Sequence, residues 1–499
     1  MSIKKSGENV RSMSVFGDFS GLVIRRLLVE PRASWLYAVV GPTRHPPHGN
    51  QNPMDTRPIV RLALAIAASL ALLNAGPADD SWPGYRGPTA DGRSNAKNLV
   101  TTWSEKENVL WKTPIHGKGW SSPVILGKQI WLTTADEVLA DTTQPAKKGG
   151  PPANPVKEVT FFAVCIDRDT GKIVQNVRLG TEENPAYCHP FNSYASPTPY
   201  IEAGRLYAHF GSHGTWCVDT ESGKVLWERK DLKCDHFRGP ASSPIVFGDL
   251  VFLIFDGFDL QYVAALDKTS GKTVWKTDRK IKYANDNGDI KKSYATPVVL
   301  DINGKQQLVC PSAECTMAYD PKTGEELWRI THGGMNGSAR VVMGNGMLYL
   351  TTGHPSKLLA VKADATKPDS TGMLPKEAAV WSTVKNVPSR PSLTLDGDLL
   401  YMVTDSAIAS CVEATTGKVL WSERLDGEFS ASPVLANGNL YCANQMGKTF
   451  VLSAGKTFNV VSENRLGEGK EVGVMASPAV AGNVLFLRAK THLYALGKR

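Results

Sequence analysis

The 499-residue sequence has no apolar run long enough to cross a bilayer comfortably as a helix. Leu62 to Leu73 comes nearest, with Arg57 and Arg61 before it and Asn74-Ala75-Gly76-Pro77-Ala78 between it and Asp79-Asp80. A basic start, a short apolar core and a small-residue exit have the form of a secretory signal peptide. Met54 stands where such a signal begins. Residues 1–53 are therefore read as a disordered upstream extension and 54–78 as the signal, cut after Ala75 or Ala78. The mature chain is expected in the periplasm or outside the cell, with no membrane span after cleavage. No Cys follows the run, so a lipid anchor is not expected.

A block of one charge is also missing. The formal net charge is +8, but residues 1–78 hold +5 of it, from nine Lys/Arg and four Asp/Glu. The other residues carry 47 basic and 44 acidic side chains, with no basic stretch interleaved with aromatics, so nucleic acid is not an expected partner. There is no Gly-x-Ser-x-Gly elbow, no Walker loop and no His-Glu-x-x-His, which removes the hydrolases, NTPases and metalloproteases those motifs mark. The Val-Ala-Ile-Lys, His-Arg-Asp and Asp-Phe-Gly set of protein kinases is absent too.

What is present is repetition. Cys217-Val-Asp-Thr-Glu-Ser-Gly223-Lys-Val-Leu-Trp227 recurs as Ala265 to Trp275 through Gly271, as Ala318 to Trp328 through Gly324, and as Cys411 to Trp421 through Gly417. Cys165 to Gln175, through Gly171, is a weaker copy, and Trp111 and Trp381 fill the same place in two further units. Each copy predicts a strand, a tight turn and a strand. The acidic side chain caps turn amides, and Gly supplies the positive φ that other residues resist. The indole then lies on one fixed face, where it packs between neighbouring sheets.

A second mark precedes each copy. Ser/Thr-Pro and then an apolar run occur at Ser122, Ser196, Ser243, Thr296, Ser432 and Ser477, with Ser338-Ala339-Arg340 and Arg390-Pro391 in the two remaining slots. Proline at the first residue of a strand leaves the ladder intact. The marks fall 42 to 53 residues apart except for a first interval of 74, which holds a Pro-, Gly- and Lys-rich insert from Asp136 to Glu158, read as a mobile surface loop. Eight marks predict an all-β, eight-bladed propeller of four-stranded antiparallel sheets over residues 108–499, preceded by an N-terminal segment, 79–107. The eighth unit runs out of chain after three strands, so the strand around Trp111 is expected to complete it and shut the ring.

These repeats resemble the tryptophan-docking repeats of pyrroloquinoline quinone (PQQ) dehydrogenases, and they look like the propeller of the BamB outer-membrane assembly lipoprotein. Trp82-Pro-Gly-Tyr-Arg-Gly-Pro88, with Asp91-Gly92, is similar to the N-terminal mark of exported bacterial PQQ-repeat proteins. The resemblance implies the fold; it does not fix an activity. In the dehydrogenases it implies PQQ, a Ca²⁺ held by acidic or amide ligands, an Asp base and often a disulfide between adjacent cysteines. This chain has no Cys-Cys pair, and no residue of it can be matched to those ligands or that base. The expectation is therefore a non-catalytic scaffold that binds another envelope protein or a small ligand at its rim. A PQQ-dependent dehydrogenase with a divergent site is the alternative.

The candidate rim residues come from inter-blade loops. Tyr187-Cys188-His189 and Cys234-Asp235-His236-Phe237-Arg238 hold matching places before consecutive blades. A Cys188–Cys234 disulfide is the first expectation in an oxidising compartment, with unpaired thiols next and a zinc site of two Cys and two His last. His189, His236 and Arg238 would then edge a polar rim. Cys310 and Cys315 flank a four-residue turn and are a second disulfide candidate. Cys165, Cys217, Cys411 and Cys442 are read as buried apolar side chains. Asp256 and Asp259, around Gly257, either cap a turn or help hold a cation, with turn chemistry preferred. Arg340 and Arg390 stand where small residues are the rule. They either clamp a carboxylate-rich ligand in the channel or pair with an acid of a neighbouring blade.

Overall fold

The turn chemistry builds the strand pairs. The Asp167 carboxylate accepts from the Thr170 amide and hydroxyl at 2.8 and 2.7 Å, and Asp219 with Ser222 and Asp267 with Ser270 repeat the arrangement. These bonds hold the three exposed carboxyls below their ordinary range. The Gly171 amide closes the turn on the Asp167 carbonyl at 2.8 Å, with Gly171 at φ +72°. Only glycine adopts that conformation without strain.

The computed structural model describes residues 80–140, 154–365, 372–467 and 472–498, together with the backbone of a separate N-terminal hairpin, Val23–Val29 against Ser34–Val40. The rest of the upstream extension, and the signal segment 54–78, lie outside the described residues. Eight antiparallel sheets follow in chain order, seven of four strands and one of five. We number them blades 1 to 8 from Val124–Leu126 to Ala479–Ala481, naming each by its innermost strand. Blade 8 is completed by Val109–Pro114 lying against His492–Leu496, with Trp111 opposite Ala495. The ring therefore shuts as the repeat count requires.

Between blades the indoles do the docking. Trp111 Nε1 donates to the Arg168 carbonyl at 2.9 Å, Trp227 to Lys268, Trp275 to Pro321, Trp381 to Ala414 and Trp421 to Gly455. Each acceptor lies in the strand-linking turn of the next blade. The rings lie flat on the turn glycines: a Cβ added at Gly171, Gly271, Gly324 or Gly417 would meet an indole at 2.5–2.7 Å. Burying a ring of this size contributes roughly 4–6 kcal/mol before conformational entropy is subtracted. Trp328 departs from the pattern and donates to Gln307 within its own blade; blade 5 lacks the Asp-x-x-x-Gly sequence after its third strand. Blade 1 has Gln175 in the indole's place, and its amide donates to the Thr220 carbonyl at 3.0 Å, the equivalent acceptor in blade 2.

The register of the marks differs from the sequence reading in three blades. The residues that immediately precede the innermost strands are Thr198-Pro199 rather than Ser196-Pro197, Arg340-Val341 rather than Ser338-Ala339, and Ser392-Leu393 rather than Arg390-Pro391. In blade 2 two hydroxyls two residues apart, Ser196 and Thr198, satisfy the same local pattern, and contacts around the ring choose between them. The insert also begins and ends as strand. Gln129–Leu139 and Val156–Asp167 stay paired as far as Leu139 opposite Val156, and residues 141–153 lie outside the described residues.

Candidate functional site

The hydroxyls of six marks have a structural task. The amide of Ser122 donates to Thr198 Oγ1 at 2.9 Å, Thr198 to Ser243 Oγ, and Ser243 to Thr296 Oγ1. Arg340, Ser392 and Ser432 continue the chain to Ser392, Ser432 and Ser477 at 2.9–3.0 Å. The result is a belt of blade-to-blade bonds around the axis. Because each oxygen accepts from a neighbouring amide, its own proton is left to donate elsewhere. The protons of Thr198, Ser243, Thr296 and Ser477 find no acceptor among the described residues, and these four side chains line a cavity of about 320 Å³.

The cavity has a floor supplied by the N-terminal segment. Ser81–Trp82 pairs with the innermost strand of blade 1, and the residues that follow occupy the channel. Tyr85 reaches the Ser392 and Ser432 hydroxyls at 3.2 and 3.1 Å and lines the cavity. The buried Arg86 guanidinium donates to the carbonyls of Asp91, Leu393 and Pro433 and to Thr394 Oγ1. Gly92 leaves it room, since a Cβ there would lie 2.3 Å from the guanidinium carbon. Arg340 replaces a hydroxyl in the belt and donates to the carbonyls of Tyr85 and Pro297, both at 2.6 Å. It therefore fastens the plug instead of clamping a carboxylate-rich ligand or pairing with a neighbouring acid. The Trp82-to-Pro88 motif is noted in the sequence, but its place in the channel is not read there.

Three sequence candidates meet at the mouth: His189, Arg238 and Arg390 all line the cavity. Arg390 is bonded to Asp405 of its own blade, and its guanidinium lies 4.6 Å from the Phe191 ring centroid. Phe191 precedes blade 2 and Arg390 precedes blade 6, so this contact crosses the mouth. Arg238 pairs with Asp289 at 3.0 Å. Burial, then the charges of Arg238 and Lys118, holds the His189 pKa down. The Phe191 amide donates to His189 Nδ1 at 3.2 Å, which leaves Nε2–H as a further donor. Trp120, which sequence reasoning passed over, walls the cavity and donates to the Phe191 carbonyl.

The other candidates belong to a buried polar cluster behind the rim. His236 is not on the rim: its Nε2 accepts from the Ser212 amide at 3.0 Å, and its Nδ1 lies 3.1 Å from Lys292 Nζ. A neutral ring therefore carries its proton on Nδ1, facing an amine that itself donates to the Asp256 carbonyl at 2.7 Å. An ammonium cannot accept that proton, whereas a neutral amine can. Burial pushes both pKa values down, that of His236 well below the usual imidazole range. Asp256 does not cap the turn, and the charge it holds is a guanidinium. Its carboxylate accepts from the buried Arg279 guanidinium at 2.6 Å and from Ser312 at 2.9 Å. Arg279 also donates to the blade 4 carbonyls of Cys310 and Pro311. Asp259 does the turn work, accepting from the amides of Asp235 and Leu260 at 2.7 Å.

All eight cysteines carry free thiols, so neither expected bridge is formed. Cys188 points at the Arg238 carbonyl, whereas Cys234 packs on the His236 ring at 3.6 Å. Burial pushes both thiols up to about 12. Cys310 faces Met317, two residues beyond Cys315, so the second pair is out of register. Cys165, Cys217, Cys411 and Cys442 lie buried inside strands.

Among the described residues no group of three or more His, Cys, Asp or Glu side chains is placed to hold a metal ion. Ca²⁺ needs six to eight oxygen ligands, usually with carboxylates among them. The described lining of the mouth cavity contains no Asp or Glu and two arginines. The residues present do not fit that ion, and no step can be derived through a calcium-bound quinone here. No described helix is long and apolar enough to cross a membrane.

Comparison with known proteins agrees with this architecture. The chain is 23% identical over 350 residues to the tetrathionate hydrolase of Acidithiobacillus ferrooxidans, an alignment covering 67% of this chain and 65% of that protein. The chain thus spans just under two thirds of that relative's length. The quinohemoprotein alcohol dehydrogenase of Comamonas testosteroni superposes with TM-score 0.57 at 11% identity, over 86% of this chain and 82% of that one. BamB from Moraxella catarrhalis superposes with TM-score 0.51 at 14% identity, over 78% of this chain and 99% of that one. At these identities the two structures show the fold alone. The family model described as outer membrane protein assembly factor BamB matches residues 144–364 and 374–499, and the chain belongs to that family of PQQ-repeat β-propellers.

Proposed function

We propose that this protein is an exported, non-catalytic propeller that binds a small ligand or another envelope protein at the loop face around the channel mouth. The observation that carries the reading is the lining of the mouth cavity. Hydroxyls, two arginines and aromatic walls converge there, while no described carboxylate faces it to serve as a base or a metal ligand. Export is supported by the signal-like segment 54–78. An envelope partner is supported by the family, whose description is an outer-membrane assembly factor.

The deciding experiment adds PQQ and Ca²⁺ to the purified protein and follows dye reduction with alcohols and sugars. No turnover is expected; quinone-dependent dye reduction would overturn the scaffold reading in favour of a dehydrogenase. A second reading, an enzyme acting on a sulfur oxyanion, draws on the tetrathionate hydrolase relative. Consumption of tetrathionate by the same preparation would establish it. Co-purification from native envelope fractions then identifies the partner.

A further inference from the structure

We propose that the mouth cavity is a receptor for a small, metal-free oxyanion. The inference rests on the binding reading above and names the chemistry of that site. Three observations lead to it, beginning with the direction of the hydroxyl protons. The belt amides occupy a lone pair on Thr198, Ser243, Thr296 and Ser477, so these groups offer the cavity donors. A ligand that satisfies them must bring acceptors.

The second observation is unbalanced charge. Arg86, Arg340 and Arg488 are each at most 5% exposed; Arg86 and Arg488 are bonded to carbonyl and hydroxyl oxygens and Arg340 to two carbonyls, with no carboxylate bonded to any of the three among the described residues. Arg86 and Arg340 hold the plug that floors the cavity. Arg488 donates to Ser121, next to the belt residue Ser122. Burial lowers Arg340 to about 10 and Arg488 to about 9, which leaves both charged at neutral pH. The Asp91 carboxylate acts on Arg86 and Arg340 without bonding to either guanidinium and is itself bonded to Arg93, so the buried arginines keep a positive potential that low-dielectric walls focus into the adjoining space.

The third observation is the mouth itself. Arg238 and Arg390 each use part of a guanidinium on an acid and have remaining N–H groups without a partner among the described residues. With no carboxylate in the described lining, a cation would meet no opposite charge on the cavity wall, and an anion would meet donors. Sulfate-type and carboxylate ligands share this chemistry.

The test uses the full chain in EDTA, titrated calorimetrically with sulfate and with propane-1,2,3-tricarboxylate. Sorbitol serves as a neutral acceptor-bearing control and CaCl₂, without EDTA, as the cation. Saturable binding of one or both anions is expected, and which one binds identifies the class. Arg390→Met and Arg238→Met should each weaken it about tenfold or more. Arg390→Lys should retain part of it, with the circular dichroism of all variants unchanged. The proposal is overturned if neither anion binds, if sorbitol binds as tightly, if the arginine variants bind like wild type, or if Ca²⁺ binds at a site those variants abolish. If a variant does not fold, Ser477→Ala replaces it, with a loss of several-fold expected. Failure here leaves the scaffold reading standing, since that reading falls to dye reduction or tetrathionate consumption instead.

Discussion

Replacing Asp256 by Asn is predicted to be among the most damaging conservative changes in the molecule. The side chain ends the second strand of blade 3 and is 2% exposed, and its partner Arg279 is fully buried. Asparagine preserves the volume but removes the charge that balances the guanidinium. The 2.6 Å contact then joins a buried cation to a neutral amide. Removing one member of a buried pair typically costs about 3–5 kcal/mol, because the other charge is left without compensation. The retained amide oxygen places Asn at the lower end, about 3 kcal/mol. Arg279→Met should cost at least as much, since it also strips the Cys310 and Pro311 carbonyls of their donor. The double variant Asp256→Leu/Arg279→Met should cost less than the sum, with a coupling energy of about 2–3 kcal/mol. Equilibrium urea unfolding at pH 7 measures all three. If Asp256→Asn costs under about 1 kcal/mol, or the double variant is additive, the pair does not hold blades 3 and 4 together and the argument fails.

The blade 1 position that lacks an indole offers a gain: Gln175→Trp should restore docking on the blade 2 turn and raise stability by about 0.5–2 kcal/mol, read as a later urea midpoint. An earlier midpoint would show that blades 1 and 2 are spaced for the amide. Buried His209, lowered to about 3, should make stability fall with acid. The unfolded chain takes up a proton near pH 6.5 and the folded chain does not, so the contribution is intact above 6.5 and shrinks as pH drops. At pH 5 the loss is about 2 kcal/mol, and His209→Gln should remove that part of the pH dependence. An unchanged slope would mean His209 is protonated or exposed in the folded protein.

The ring was legible in the sequence because its information is local and repeated. Each Asp-x-x-x-Gly turn specifies its own hairpin, and Trp111 supplies the strand the last unit lacks. What stayed hidden is whatever depends on residues far apart in sequence and bonded through backbone. Arg340 meets the Tyr85 carbonyl across 255 positions, and a carbonyl leaves no signature in a sequence. Ser196-Pro197 and Thr198-Pro199 look alike until a belt amide selects the second. Of the candidate rim, His189, Arg238 and Arg390 converge because loops before blades 2, 3 and 6 all end at the axis. His236 and Asp256 do not, because each finds a buried basic partner, Lys292 or Arg279, that no motif announces.

The latch strand, Val109–Pro114, leaves the ribosome ahead of every blade, whereas its partner His492–Leu496 leaves after blades 1 to 7. Blades 1 to 7 are strings of neighbouring hairpins and can form during synthesis, but blade 8 must wait until His492–Leu496 has been made. The entropy of that late closure grows only logarithmically with chain length, by about 0.6 kcal/mol per doubling, so the delay is one of timing more than of thermodynamics. Until then the early strand and the plug before it have no finished seat on blade 8. A chain truncated before His492 would therefore be an open ribbon with an unpaired edge, a form that proteases can distinguish from the closed ring.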